Sequence, residues 1–303
     1  MVRRGIQNET VKIHAWMVVG AALLVVGASQ AAWGARTNPR GTGPNATRRA
    51  KPAADTAKST RSTLSPESLE KLRELLAGTD QATVVSATTA LGDSSATNAA
   101  LPLIEMLAAG ASPPAAIAAI DALRKLRDPA SIDVLVLYAA NRSPDMRRHA
   151  IEALGGFPDA RVVPTLVERL GDAAPDVRGA AAEALATRGD KTSAPRLLAL
   201  LKRNDAAAAA PLGAIAPVSL LPAIAELQGS IDDGNLATAL GELVKRQDVA
   251  EPVRVDIIKT LARISGAAST TALIEYVATL PSADGRPSKV EAQKVIDERS
   301  KLK

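Results

Sequence analysis

The chain contains no cysteine. Disulfides, thiol nucleophiles and Cys-ligated metal centres are excluded at once, so a folded domain here rests on its hydrophobic core. Aromatic residues are nearly as scarce, with two tryptophans, two tyrosines and one phenylalanine in 303 residues. Of the two histidines, His14 falls in the N-terminal segment, which leaves His149 without a second partner for acid–base chemistry. Following Arg147 and Arg148 on a helix, it reads as a surface residue. There is no glycine-rich phosphate loop, no nucleophile elbow and no cluster of metal-ligand type. Asp232-Asp233-Gly234-Asn235 opens like a calcium loop, but the later oxygens and the distal glutamate are missing, so a turn with a helix cap is expected. These absences supply no catalytic residue, cofactor or metal site, and the expectation is a chain that is not an enzyme.

What is present is a repeat. Sliding residues 143–172 onto 173–202 by 31 positions matches Asp145 with Asp176, Arg147 with Arg178, Glu152 with Glu183, Ala153-Leu154 with Ala184-Leu185, Asp159 with Asp190 and Pro164 with Pro195. Self-similarity at such a period marks a repeat array. Val177, Ala180, Ala181, Ala184 and Leu185 recur at the spacing of one helical face. Gly189 can end that helix, and Asp190 can cap the next. Val163, Leu166, Val167 and Leu170 form the stripe of a second helix in the preceding repeat. One such pair cannot bury both stripes, so neighbours must stack.

The pattern D-[VM]-R-x6-L-[AG]…D…P-x-L resembles the short HEAT-like repeats first grouped with the phycobilin lyases. The residues that carry it are Asp145-Met146-Arg147, Leu154-Gly155, Asp176-Val177-Arg178, Leu185-Ala186, and later Val253-Arg254 with Leu261-Ala262. The resemblance covers about 80–280 and suggests an exported bacterial-type HEAT-repeat protein. It implies an all-α solenoid of stacked antiparallel helix pairs, with second helices lining a concave face. The tetratricopeptide and ankyrin signatures are absent.

Three regions are expected. Residues 1–35 read as a signal peptide or signal anchor. Arg3, Arg4 and Lys12 precede the uncharged stretch from Ala15 to Ala28, and small residues suit cleavage before Ala32 or Ala35. The stretch is short for a span, which takes about 20 residues. The twin arginine lacks the apolar residues expected after it, and no cysteine offers a lipid anchor. Residues 36–65 are rich in Pro, Gly, Thr, Ser and Ala, with Leu64 the one large apolar side chain, and read as a disordered basic linker. Residues 66–303 form the solenoid. Residues 1–35 carry a net +2 and 36–65 a net +6, so of the chain's +5 the solenoid holds −3. The basic balance therefore belongs to the tail, a solvated tether or a segment drawn to anionic lipid or wall polymers.

Within the solenoid, a capping helix is expected over 66–77 and pairs at 80–91 with 96–109, 113–126 with 130–140, 144–155 with 159–170 and 175–187 with 191–202. The register then slips. Residues 205–228 read as a degenerate pair, 233–247 as a supernumerary helix, 251–264 with 268–280 as the last clear pair, and 287–302 as a polar-faced terminal cap.

Two residue sets stand out. Arg147, Arg178 and Arg254 recur near the start of first helices, and Asp145, Asp159, Asp176 and Asp190 are the expected partners of a structural ladder. Such arginines could equally clamp a ligand. On second helices, the residue five after the P-x-L proline falls off the core stripe. Tyr138, Arg169, Leu200 and Tyr276 occupy it; Tyr138, Arg169 and Tyr276, with Glu168, Arg196 and Arg203 nearby, are the expected binding residues of the concave face. Tyrosine suits recognition surfaces, and packing into inter-repeat grooves is the alternative.

The expectation is a protein-binding module or scaffold acting on the cell-envelope side, in the periplasm or anchored at the membrane, with another protein as partner. A bilin-lyase-like or other enzyme on the same repeats is the alternative; the missing cysteine and sparse aromatics speak against a chromophore pocket. Export and the −3 solenoid speak against nucleic acid. No small-molecule substrate is evident. The mature chain is expected to begin near Ala32 or Ala35. Intact-mass measurement on native protein checks this, a full-length mass in the membrane fraction indicating an anchor.

Overall fold

The computed structural model describes residues 63–301. The expected signal segment at 1–35 and nearly all of the linker at 36–65 lie outside them. The described residues hold fifteen α-helices, five short 3-10 turns and no strand. They divide into two compact units, 63–128 and 129–301.

Local chemistry sets the helix boundaries. α1 (Pro66–Leu76) opens on Ser65, whose hydroxyl accepts from the Ser68 N–H, with proline at the first helical position. α2 (Gln81–Asp93) is capped by Asp80 through the Thr83 N–H. α3 (Ala100–Ala109) ends at Gly110, which takes a left-handed φ of 89°. α4 (Pro113–Leu126) completes the first unit. α1 covers α2 and α3, and α2 packs along α4. That contact is close because both faces are small. A Cβ at Gly92 would sit 2.7 Å from the Cα and Cβ of Ala122, and Ala87, Ala116 and Ala119 are fully buried beside it. Order begins before α1. Leu64 is buried, and its backbone N–H and C=O both pair with the Asn98 side-chain amide at 2.9 Å. The end of the linker is thus part of the folded unit, because its single large apolar side chain finds a core.

The second unit runs α5 (Ile132–Tyr138), α6 (Pro144–Gly155), α7 (Val163–Arg169), α8 (Pro175–Thr187), α9 (Ala194–Lys202), α10 (Ala209–Ile215), α11 (Leu221–Ala225), α12 (Asp233–Lys245), α13 (Glu251–Arg263), α14 (Ala267–Ala278) and α15 (Pro287–Ser300). α8 packs on α6, α10 on α8, α12 on α10 and α14 on α12, giving one continuous row of first helices. α13 and α15 pack together as second helices.

This order corrects the expected register slip. The row is held by leucine followed by a small residue: Leu154-Gly155, Leu185-Ala186, Leu212-Gly213 and Leu240-Gly241, each leucine fully buried. Leu185 to Leu212 is 27 residues and Leu212 to Leu240 is 28. The period shortens and no helix is supernumerary. α12 is the next first helix, α13 its partner, α14 the following first helix, and α15 the second helix that ends the stack where the terminal cap is expected. Matching Leu261 to Leu185 put a second helix in the first row, since both rows carry the same apolar spacing.

Glycine is required where these helices meet. A Cβ at Gly155 or Gly241 would come within 2.8 Å of the Cβ of Ala184 or Ala272, and at Gly213 within 2.2 Å of the Ala239 carbonyl oxygen and 2.7 Å of the Glu242 Cβ. Gly213→Ala is therefore expected to force α10 and α12 apart at a cost of about 1–3 kcal/mol. Gly171→Ala, whose Cβ would meet only the Glu168 carbonyl at 3.4 Å, should be close to neutral. Thermal unfolding followed by circular dichroism compares the two.

Candidate functional site

The repeated arginines make one geometry twice. Arg147 donates from Nε and Nη2 to the two oxygens of Asp172 at 2.8 and 2.7 Å, and from Nη1 to the carbonyls of Asn141 and Arg142 at 2.9 and 3.0 Å. Thirty-one residues on, Arg178 donates from Nε to Asp205 at 2.6 Å, and from Nη1 to the carbonyls of Asp172 and Ala173 at 3.0 and 3.1 Å. Each arginine thus joins the turn before its own helix to the turn that closes its repeat. Only 3% of the Asp172 side chain is exposed. Burial works against its charge, but the Arg147 hydrogen bonds, the Ala174 N–H and the nearby Arg169 outweigh it and hold the carboxyl below its ordinary value.

The partners expected for these arginines are therefore corrected. Asp145 pairs with Arg148, Asp159 pairs with Arg161 while accepting its N–H, Asp176 is exposed, and Asp190 caps the turn at Thr192. Geometry explains the exchange. Asp145 and Asp176 precede the arginines by two residues, a spacing that does not share a helix face. Asp159 and Asp190 lie past the far end of the first helix, which at 1.5 Å per residue is about 18 Å away. Arg254 repeats only the carbonyl half, donating to Val244 and Arg246. Its carboxylate is Glu251 on its own helix, because α13 is a second helix.

A further arginine series escaped the sequence reading. Arg188 donates to the carbonyls of Phe157 and Asp159, Arg246 to those of Gly213 and Ala216, and Arg299 to those of Leu261, Ala262 and Ile264. Each follows or ends a helix and satisfies carbonyls left open where a helix of the previous repeat stops. The available signal was an arginine at the end of a helix, but its recurrence does not keep the 31-residue period. Arg246 also grips Asp248 and draws its carboxyl down to about 2.

The expected binding residues divide. Tyr138 is 8% exposed and Tyr276 is 1% exposed, so both belong to the core, and their expected exposure is corrected. Burial raises the Tyr138 phenol. The Tyr276 hydroxyl lies 2.5 Å from Ser288 Oγ. The reason is again the row: α14 stacks on α12, so Tyr276 was counted on the wrong face. Arg169 is mostly covered, paired with Glu168 and 3.6 Å from Asp172. Glu168, Arg196 and Arg203 are exposed. Arg196 and Arg203 form no ion pair or side-chain hydrogen bond among the described residues. Leu137 of α5, in the same repeat segment, is 66% exposed. His149 is half-buried beside Arg148, and Asp232 caps α12 through the N–H groups of Gly234 and Asn235.

With this geometry established, known proteins locate the repeat. Residues 132–216 match the family model for HEAT repeats. This segment is built of HEAT repeats. The all-α solenoid fold expected from the 31-residue period is the fold class the chain adopts. No curated protein matches the chain. Among solved structures it is similar to the complex of CpcE and CpcF of phycocyanin lyase from Nostoc sp. PCC7120, at 17% identity and a TM-score of 0.42, covering 88% of this chain and 99% of that one. It is also similar to an engineered protein at 20% identity and a TM-score of 0.34, covering 77% and 96%. The first of these overturns the expectation that the chain is not an enzyme. That structure is of a lyase complex.

Asp172→Asn should lower stability at pH 7 by about 1–3 kcal/mol, since Arg147 loses a buried charged partner. The folded carboxyl is held below its unfolded value, so its contribution is complete above the unfolded value near 4 and is lost as pH falls through the folded one. The gap between wild type and variant should therefore be widest at neutral pH and close in acid, as read by denaturant titrations across pH.

Proposed function

We propose that the chain binds another protein through the surface carried by the second helices of its HEAT repeats. The supporting observation is the exposure of Leu137 in the same repeat segment as the unpaired Arg196 and Arg203. An exposed leucine with arginines whose donors have no carboxylate among the described residues offers an apolar contact and charge-assisted bonds to an acidic partner. The tyrosines do not contribute, being buried. The partner's location rests on composition: the signal read in 1–35 and the basic linker in 36–65, both outside the described residues, favour export and a partner on the envelope side. No helix of the described residues is long and apolar enough to cross a membrane.

A photoreactive residue at 137 or at 196, in the full-length chain in its own cells, is expected to crosslink to the same partner. One at Glu183, exposed on α8, should not. Leu137→Asp combined with Arg196→Glu should weaken that partner's binding about tenfold or more while the melting temperature holds. Equal crosslinking from all three positions would remove the second-helix surface from the proposal.

A further inference from the structure

A cavity of about 500 Å³ lies where the end of α12, the start of α13, the end of α14 and the start of α15 meet. Lys245, Arg254 and Arg286 line it with Tyr276, Thr279 and Leu280, and no carboxylate is among its lining residues. We propose that this cavity is a binding site for a carboxylate borne on a small organic frame, either an acidic side chain of a protein partner or a free small carboxylic acid.

The donors support this reading. Lys245 gives two bonds, to Glu242 and Glu275, and keeps one N–H group. Arg254 gives three, to Val244, Glu251 and Arg246, and keeps two. Arg286 meets Asp284 through Nε and Nη2 and keeps three. Three cations from three separate elements thus bring uncommitted donors to one cavity. Their four carboxylate partners outnumber the three cations, so recognition rests on placed N–H groups and not on net charge, which limits the ligand to a single negative charge. Two guanidinium forks match a planar carboxylate. Thr279 and Leu280 add apolar wall, and the volume exceeds what a bare ion needs and falls within the range of organic ligand sites.

The site is also held rigid. Glu251 accepts the Ser288 N–H at 2.7 Å and the Arg254 Nη1 at 3.4 Å, and Ser288 Oγ meets the Tyr276 hydroxyl. This chain of bonds ties α13, α14 and α15 together around the cavity before any ligand arrives, which limits the ordering that binding must bring about.

The peptide source rests on the protein-binding reading and the free-acid source does not. Calorimetric titration of the full-length chain with butyrate and, separately, with the capped dipeptide N-acetyl-Glu-Leu-amide, each a monoanion, distinguishes the sources. At least one probe is expected to saturate. Arg286→Gln should weaken that binding about tenfold, while Lys259→Gln, exposed on α13 and outside the cavity lining, leaves it unchanged and both variants melt as the wild type does. Butyrate binding without dipeptide binding assigns the site to a free acid, and the converse assigns it to a partner's side chain. Failure of both probes to saturate below about 10 mM, or equal weakening by the two variants, overturns the site. Crosslinking at 137 and 196 is independent of either result.

Discussion

Close approach of successive first helices is the constraint on which the rest depends. Gly155 against Ala184, Gly213 against Ala239 and Gly241 against Ala272 leave no room for an added methyl. A row packed this tightly buries alanine and glycine in place of large side chains, so each layer gains little apolar area of its own and depends on contact with the layers on either side. The scarcity of aromatics is a consequence. Bulky rings have no place at such a seam, and the three aromatic side chains of the described residues, Tyr138, Phe157 and Tyr276, are buried at helix ends and turns.

Short helices stacked closely create a second demand. Every helix end leaves carbonyls open, and stacking brings many of those ends out of water. Arginine meets it at both ends of a repeat. Arg147 and Arg178 span successive turns at one end, and Arg188, Arg246 and Arg299 close carbonyls at the other. The guanidinium suits this role because its five donors reach a carboxylate and two carbonyls at once, which a lysine amine cannot do in one plane.

The fold was legible where the period was strict. The 31-residue shift between 143–172 and 173–202 contains the helices, their aspartate-bearing turns and the core leucines. Legibility ended at Leu185, where the spacing falls to 27 and 28. A reading anchored on leucines then has two rows with identical periodicity to choose from, and only stacking tells them apart. Local spacing located the arginines; it could not locate Asp172 and Asp205, because these partners come from the next turn in space and carry no mark in sequence. The tyrosines were misplaced for the same reason. A helical wheel places a residue off one stripe, but in a stack each helix touches the neighbouring layer as well as its own partner, so an off-stripe position can still be core.

The seam also shapes what kind of recognition this surface can perform. Packing consumes the apolar residues in narrow, alanine-lined contacts, which leaves Leu137, Leu101, Ile274 and Val290 as the exposed large apolar side chains, set apart along the chain. Scattered single apolar residues do not form a hydrophobic patch of the size that drives association alone. Specific binding on such a surface has to come from placed polar donors, and arginine supplies them in surplus: after the carbonyls and carboxylates of the stack are satisfied, N–H groups remain at Arg196, Arg203, Arg254 and Arg286. The residue type that closes the helix ends is thereby the one on which the proposed recognition of acidic groups rests.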